Sequence, residues 1–185
     1  MTTPSLKEQH EIAIGNALLA ALGYNSEFIR YGLEGVEPDV IYSVAERTIG
    51  IEIATAYYDD AQAKAEWQLA RGISKFDSHG IAKIGSWSEP DRLISAQVQR
   101  EIDDKCSKSY SDVDAAWLCI EQHAPLADVA EVCDLIPRLR IPSDHPFEKL
   151  YLCFYAHAGD GGGFRVYDIT PPNQAMQRTA PRSDA

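Results

Sequence analysis

Two acidic residues lie in neighbouring predicted strands and could share a metal ion. Pro38-Asp39 opens a segment rich in Val, Ile and Tyr, residues 39–44, and Glu52 lies inside the next such segment, residues 48–57. Because strands joined by a short turn pair antiparallel, Asp39 and Glu52 should come side by side at one end of a sheet. Two carboxylates held close together favour a bound cation, and oxygen ligands select a hard ion such as Mg²⁺ or Mn²⁺. The spacing predicts metal-dependent phosphodiester chemistry.

This pattern resembles the signature of the restriction-endonuclease-like superfamily, which is Pro-Asp, a spacer, Asp or Glu, any residue, and Lys. Pro38-Asp39 and Glu52-Ile53 follow it, and Ala54 stands where the lysine belongs. The resemblance covers roughly residues 5–170, with a helix, a strand pair, a helix and further strands in the superfamily's order. It implies an α/β fold with a mixed central sheet flanked by helices. It also implies a magnesium-dependent nuclease in which Asp39 and Glu52 bind the metal and the backbone carbonyl of Ile53 adds a ligand.

The missing lysine has a candidate substitute on the next predicted helix. In the superfamily this lysine positions or helps to deprotonate the attacking water, and some members supply it from elsewhere in the fold. Residues 59–71 are rich in helix-forming residues, and Lys64 lies about one turn inside them, so we expect Lys64 to be the catalytic lysine. Gln68 shares its face, and Gln68, Arg71 and Lys75 are candidates for substrate binding. The alternative is an ordinary solvent-exposed helix lysine.

A third acidic residue lies on the first predicted helix, residues 6–22, which ends before Gly23. Glu11 falls on the same face as Ile14 and Leu18, an unusual place for a carboxylate that has no cation nearby. Superfamily members often carry such a helix acid, so the resemblance implies that Glu11 holds a metal-bound water or a second ion. The alternative places Glu11 in exposed first turns, where an acid favours the helix dipole.

The net charge of −11 opposes nucleic-acid binding, because the phosphate backbone normally attracts Lys and Arg. The charge is uneven, since residues 64–108 contain eight basic residues against seven acidic ones. A local contact surface for nucleic acid therefore remains open, beside the alternative of an acidic surface that only confers solubility. A predicted amphipathic helix over residues 90–108 carries Arg92, Arg100, Lys105 and Lys108, for which solvation is the default expectation.

The later chain predicts a strand at 115–121, a helix at 125–135, and strands at 149–157 and 164–169. Residues 1–170 form one predicted domain, in keeping with 185 residues and 45% hydrophobic content. Residues 171–185 gain Pro and small polar residues, which predicts a disordered tail. Residues 173–182 of that tail resemble translated recombination-site sequence at the end of integron gene cassettes, which implies a mobile bacterial gene.

The sequence also carries information on the cellular location and on the cysteines. No apolar run approaches the roughly 20 residues of a membrane helix, and no secretion signal is visible at the amino terminus, so we expect a cytoplasmic protein that does not bind membranes. The four cysteines show no Cys-x-x-Cys pair and are expected to be buried free thiols. The oligomeric state is left open, a homodimer included.

Three functions fit these patterns. The first is a nuclease that uses Mg²⁺ or Mn²⁺. The second is a catalytically inactive nuclease-like domain that serves as a binding or assembly module, which would explain both Ala54 and the acidic surface. The third is a binding domain with an accidental motif, in which case Asp39 and Glu52 should point apart.

Overall fold

A computed structural model describes residues 4–57, 90–123, 129–156 and 162–172. The described part of the chain forms one six-stranded mixed sheet with helices packed on it. In chain order the elements are α1 (Leu6–Ala21), β1 (Ser26–Tyr31), β2 (Val40–Val44), β3 (Arg47–Ala56), α2 (Pro90–Cys106), β4 (Ala115–Gln122), α3 (Val129–Leu135), a 3₁₀ turn (Ile136–Arg138), β5 (Phe147–Ala156) and β6 (Gly163–Asp168).

The sheet order follows the chain, from β1 at one edge to β6 at the other. Strands β1, β2 and β3 form an antiparallel meander, β3, β4 and β5 run parallel, and β6 returns antiparallel to β5. The expected fold class, α/β with a mixed sheet flanked by helices, is therefore confirmed at this level.

Alternation along the strands divides the core into two layers. Ile49, Ile51 and Ile53 of β3 pack in the layer that contains Ile14 and Leu18 of α1. Ala54 and Ala56 of β3 pack in the second layer, with apolar residues of α2 and α3. Since the central strands are covered on both faces, β4 is buried along its whole length, as parallel strands usually are.

The hairpin β2–β3 sets the register of the predicted carboxylate pair. Ala45 and Glu46 connect the strands with φ angles of 48° and 66°, the positive values of a tight hairpin turn. Val40 is paired with Ile51, so Asp39, one residue before β2, lies opposite Glu52. The prediction that the two acids lie side by side on neighbouring strands is confirmed.

Most of the predicted helices and strands that lie in the described residues are confirmed to within a residue or two. Two elements and one cysteine differ from the predictions. Strand β1 was not predicted, because its exposure pattern is irregular and a bulge interrupts its pairing with β2 between Phe28 and Arg30. The expectation of four buried thiols is wrong for Cys133, which is exposed, whereas the other three free cysteines are buried. Within the predicted helix 125–135, the structure has a helix from Val129 to Leu135.

Two predicted segments lie outside the described residues. These are the helix at 59–71 and nearly all of the tail, from residue 173 onward. Among the helices that are described, none is both long and apolar enough to cross a membrane.

Candidate functional site

Asp39 and Glu52 line one cleft with a volume of about 840 Å³. The cleft lies at the end of the sheet where β2 begins and β3 approaches its carboxyl end. One oxygen of Asp39, Oδ2, accepts a 2.8 Å hydrogen bond from the amide nitrogen of Ile53. Both carboxylates face this cleft, so the expectation that Asp39 and Glu52 point apart, which followed from the third hypothesis, is wrong.

Close backbone packing around Pro38 fixes the position of Asp39. A Cβ atom added to Gly32 would lie 1.8 Å from the Pro38 carbonyl oxygen, and one on Gly50 would lie 2.5 Å from Pro38 Cγ. The amide nitrogen of Gly32 also donates to the carbonyl oxygen of Asp39 at 2.9 Å. Glycine at both positions therefore lets the chain on either side clamp the Pro38-Asp39 peptide.

Glu37 holds the loop that leads into this peptide. Its carboxylate accepts two hydrogen bonds of 2.6 Å from the guanidinium of Arg30 and one of 2.8 Å from the amide of Leu33. These bonds, to Arg30 first and then to the backbone, lower the pKa of Glu37 to about 2. Glu37 is thus charged at neutral pH and is engaged in holding the loop.

A lysine that was expected to be solvated lies against Glu52. Lys105, in the last turn of α2, donates from Nζ to Glu52 Oε1 at 2.6 Å, and its side chain is only 16% exposed. Lys105 lies seven residues after Val98 and three after Ile102, both fully buried, so helical spacing puts it on the apolar face of α2. The default expectation of solvation is wrong for Lys105. The position of this lysine on an apolar stripe was the signal in the sequence that its side chain is buried.

Two further side chains from the chain after α2 reach the same carboxylate. Lys108 Nζ lies 3.6 Å from Glu52 Oε1 and 3.7 Å from Asp104 Oδ2. Tyr110 also lines the cleft, and burial together with the negative charge of Glu52 raises the pKa of its phenol. Tyr110 therefore keeps its proton at neutral pH.

Glu11 and Lys7 approach the cleft from α1. Ser5 caps this helix, since its side chain accepts from the Glu8 amide and its own amide donates to the Glu8 carboxylate. One turn separates Lys7 from Glu11, and Lys7 Nζ lies 3.1 Å from Glu11 Oε1 and 3.7 Å from Asp39 Oδ1. Glu11 is buried, so the alternative of an exposed first-turn acid is wrong.

Charge is concentrated and poorly solvated in this cleft. Burial, and then the nearby charge of Asp39, raise the pKa of Glu11 to about 7. Burial and Asp39 also raise the pKa of Glu52, against the opposing effect of Lys105. Although burial by itself lowers the pKa of Lys105, the hydrogen bond and charge of Glu52 raise it to about 12. Lys105 is therefore a cation at neutral pH.

Ala54 has a structural role in place of the motif lysine. It is buried in the apolar layer beneath α2, together with Val98 and Ile102. Glu52 and Ala54 lie on the same face of β3, and Lys105 reaches Glu52 from the helix that covers this face. The cleft thus has an ammonium beside Glu52 even though position 54 is apolar.

The donor set fits a hard divalent ion that keeps much of its water shell. Mg²⁺ commonly takes only one or two protein carboxylates, and Asp39 and Glu52 supply these from adjacent strands. Burial, and then the charge of Asp39, raise the pKa of Glu11, and a cation beside these carboxylates would favour their charged forms. Within the described ranges, no group of three or more His, Cys, Asp or Glu side chains is arranged to hold a metal ion, so protein ligands alone do not enclose one.

The remaining predicted residues differ in placement. Ile53 contacts Asp39 through its amide nitrogen, and its carbonyl as a metal ligand stays a prediction. Lys64, Gln68, Arg71 and Lys75 lie outside the described residues, so their roles also stay predictions. Comparison of the chain with protein-family models, with curated proteins and with solved structures finds no match.

Proposed function

We propose that this protein is a metal-dependent nuclease that hydrolyses a phosphodiester bond of a nucleic acid. The observation that carries the proposal is the 2.6 Å contact between the ammonium of Lys105 and the carboxylate of Glu52, with Asp39 on the facing strand. Two carboxylates and a lysine in one cleft are the side-chain types that the restriction-endonuclease-like resemblance requires. The lysine comes from α2 rather than from position 54.

The resident metal in this proposal is Mg²⁺ or Mn²⁺, held by Asp39 and Glu52, with Ile53 and Glu11 as further candidates. Such an ion supplies Lewis acidity, which polarises a phosphoryl oxygen and lowers the pKa of water. The reaction itself forms a bond between a water oxygen and phosphorus and breaks the bond between phosphorus and the leaving sugar oxygen. The attacking water releases one proton to the solvent, and the leaving sugar oxygen takes up one proton from the solvent.

In this proposal Lys105 orients the Glu52 carboxylate and compensates negative charge. Because Glu52 raises the pKa of Lys105 to about 12, Lys105 stays protonated at neutral pH and cannot act as the base that deprotonates water. It holds the Glu52 carboxylate in one orientation and places a positive charge beside a phosphate in the cleft. Tyr110, which also stays protonated, can donate a hydrogen bond toward the same carboxylate.

The test is cleavage of labelled DNA and RNA with Mg²⁺ or Mn²⁺ by the wild-type protein and by Glu52→Gln, Lys105→Gln and Lys64→Gln variants. We expect wild-type cleavage that is lost in Glu52→Gln and reduced about 100-fold or more in Lys105→Gln. Lys64→Gln separates the two candidate lysines. Full activity in that variant assigns the role to Lys105 alone.

The matched control is Lys149→Gln, which removes a partly exposed lysine that contacts Asp168 on the β5–β6 strand pair, outside the cleft. It should retain wild-type activity. Wild-type cleavage no greater than that of Glu52→Gln on every substrate would overturn the proposal.

A catalytically inactive binding module is the second candidate. It is favoured by the arrangement of the cations, since lysines already contact the carboxylates of Glu11, Asp39 and Glu52. In such a module these ion pairs are structural, and addition of a divalent ion leaves the thermal stability unchanged. The cleavage test and the metal titration below distinguish the two candidates.

A further inference from the structure

We infer that the cleft accepts an unpaired nucleic-acid strand rather than the interior of a duplex, with Lys7 and Lys108 as its phosphate contacts. This inference rests on the proposed function, whose substrate it narrows. It follows from the depth of the carboxylates, the charge of the cleft and the exposure of these two lysines.

The first argument is depth. Glu11 and Glu52 are buried and the Asp39 side chain is mostly covered, so a phosphate must enter the cleft to reach them. A single strand can rotate about its backbone bonds and turn one phosphate inward. Duplex DNA is stiff, with a persistence length of about 50 nm, and presents its phosphates at fixed positions on its outside. A recessed site therefore favours the flexible strand.

The second argument is charge. Among the residues that the structure describes, six carboxylates and three lysines line the cleft, and the whole chain carries −11. A duplex brings one negative charge per roughly 1.7 Å of its axis, about twice the density of one strand. An acidic surface repels the duplex more strongly, because each additional phosphate near the cleft meets carboxylates. The negative charge of the cleft therefore favours a binding mode with few phosphate contacts.

The third argument identifies the contacts. Lys7, which is 65% exposed, touches Glu11 and Asp39 from α1, and Lys108, which is 42% exposed, touches Glu52 from beyond α2. Both are solvated ammonium groups next to the carboxylates, so they can turn toward an incoming phosphate at little cost in desolvation. Lys105 cannot do so without abandoning a buried carboxylate.

The test measures binding separately from cleavage. Fluorescence anisotropy with Ca²⁺ present compares a labelled oligonucleotide alone with the same oligonucleotide in a blunt duplex. We expect the single strand to bind at least about tenfold more tightly. Lys7→Gln and Lys108→Gln should each reduce the slope of log K against log salt concentration by about 0.7. Lys149→Gln, with a similarly exposed lysine in an ion pair, should leave the slope unchanged.

The outcomes separate this inference from the proposed function. Cleavage of the duplex as fast as or faster than the single strand would overturn the inference and leave the nuclease proposal standing. Tight, lysine-dependent binding of the single strand without cleavage would leave the substrate class standing and overturn catalysis. Equal binding of both forms, or unchanged salt slopes in both cleft variants, would overturn the inference.

Discussion

Residue 105 carries most of the interpretation at the scale of single side chains. The ion pair between Lys105 and Glu52 is largely buried, so each charge depends on the other for compensation. Removal of one partner deprives the other of its nearest opposite charge. The resulting loss of stability can be measured separately from a loss of catalysis.

We expect Lys105→Met to lower the free energy of unfolding by about 3 kcal/mol, because the buried Glu52 then loses its ammonium partner at 2.6 Å and retains the more exposed Lys108 at 3.6 Å. The double variant Lys105→Met with Glu52→Gln should recover much of that loss. Urea denaturation of the two single variants and the double variant measures the coupling. Additive effects in this cycle would contradict a direct ion pair.

Glu11 gives a pH dependence whose sign follows from its raised pKa. Between its ordinary value of 4.5 and about 7, the folded protein holds a proton that the unfolded chain has released. The free energy of unfolding therefore falls as the pH rises through that window. We expect Glu11→Gln to stabilise the protein by about 1 kcal/mol at pH values near 8 and to have little effect near pH 5, after allowance for solvent at the cleft.

Denaturant unfolding of wild type and Glu11→Gln at several pH values checks this prediction. Glu8→Gln is the control on the same helix, since Glu8 is only partly buried and belongs to the helix cap. A stabilisation by Glu11→Gln that is the same at all pH values would show that Glu11 does not titrate in this window.

The hairpin β2–β3 and the loop before it position the site at the scale of elements. The loop holds Asp39 through Glu37 and the close approach of Gly32 to Pro38, and the hairpin turn holds the register with Glu52. Both are local devices, and each can be tested without changing a residue that the proposal places in catalysis.

We expect Gly32→Ala to destabilise the protein by about 1 to 3 kcal/mol and to reduce activity, because its Cβ would overlap the Pro38 carbonyl oxygen and displace Asp39. Thermal unfolding and the cleavage rate measure the two effects. Leu33→Ala is the neighbouring control, since Leu33 is exposed and its loss should change stability little. Wild-type activity in Gly32→Ala would contradict the clamp.

Replacement of Ala45-Glu46 by Asn-Gly should have the opposite effect. Both residues have positive φ angles, which cost a residue with a Cβ about 1 kcal/mol and suit Asn and Gly. We expect the free energy of unfolding to rise by about 1 kcal/mol with activity unchanged. A fall in stability would show that the turn side chains make contacts that outweigh the backbone strain.

At the scale of the whole molecule, the chain combines a net charge of −11 with an acidic cleft. A divalent ion that binds only the folded protein should raise its stability, by about 2.7 kcal/mol at a concentration 100 times the dissociation constant. We expect Mg²⁺ to raise the midpoint of thermal unfolding of the wild type, and Asp39→Asn to abolish that shift. Asp168→Asn, which removes a carboxylate outside the cleft, should keep it. An unchanged wild-type midpoint would favour the inactive module.

Short-range rules in the sequence were enough to predict the helix that carries Glu11 and the register of the strand pair. The helix that carries Glu11 ends near Gly23, and the strand pair places Asp39 opposite Glu52, because period-two alternation and a short turn set a register within about a dozen residues. Strand β1 escaped prediction because its bulge and mixed exposure break that alternation.

The contact between Lys105 and Glu52 depends on tertiary packing. Lys105 lies 53 positions from Glu52 along the chain, and their contact depends on how α2 packs across β3. Lys105 falls on the apolar stripe of α2, but no local pattern in the sequence shows that a carboxylate lies beneath it. The same applies to Lys7, whose ammonium reaches Asp39 only because α1 packs on the other face of the sheet. Local patterns fix which side of an element faces the core, and packing between elements fixes what each side chain meets there.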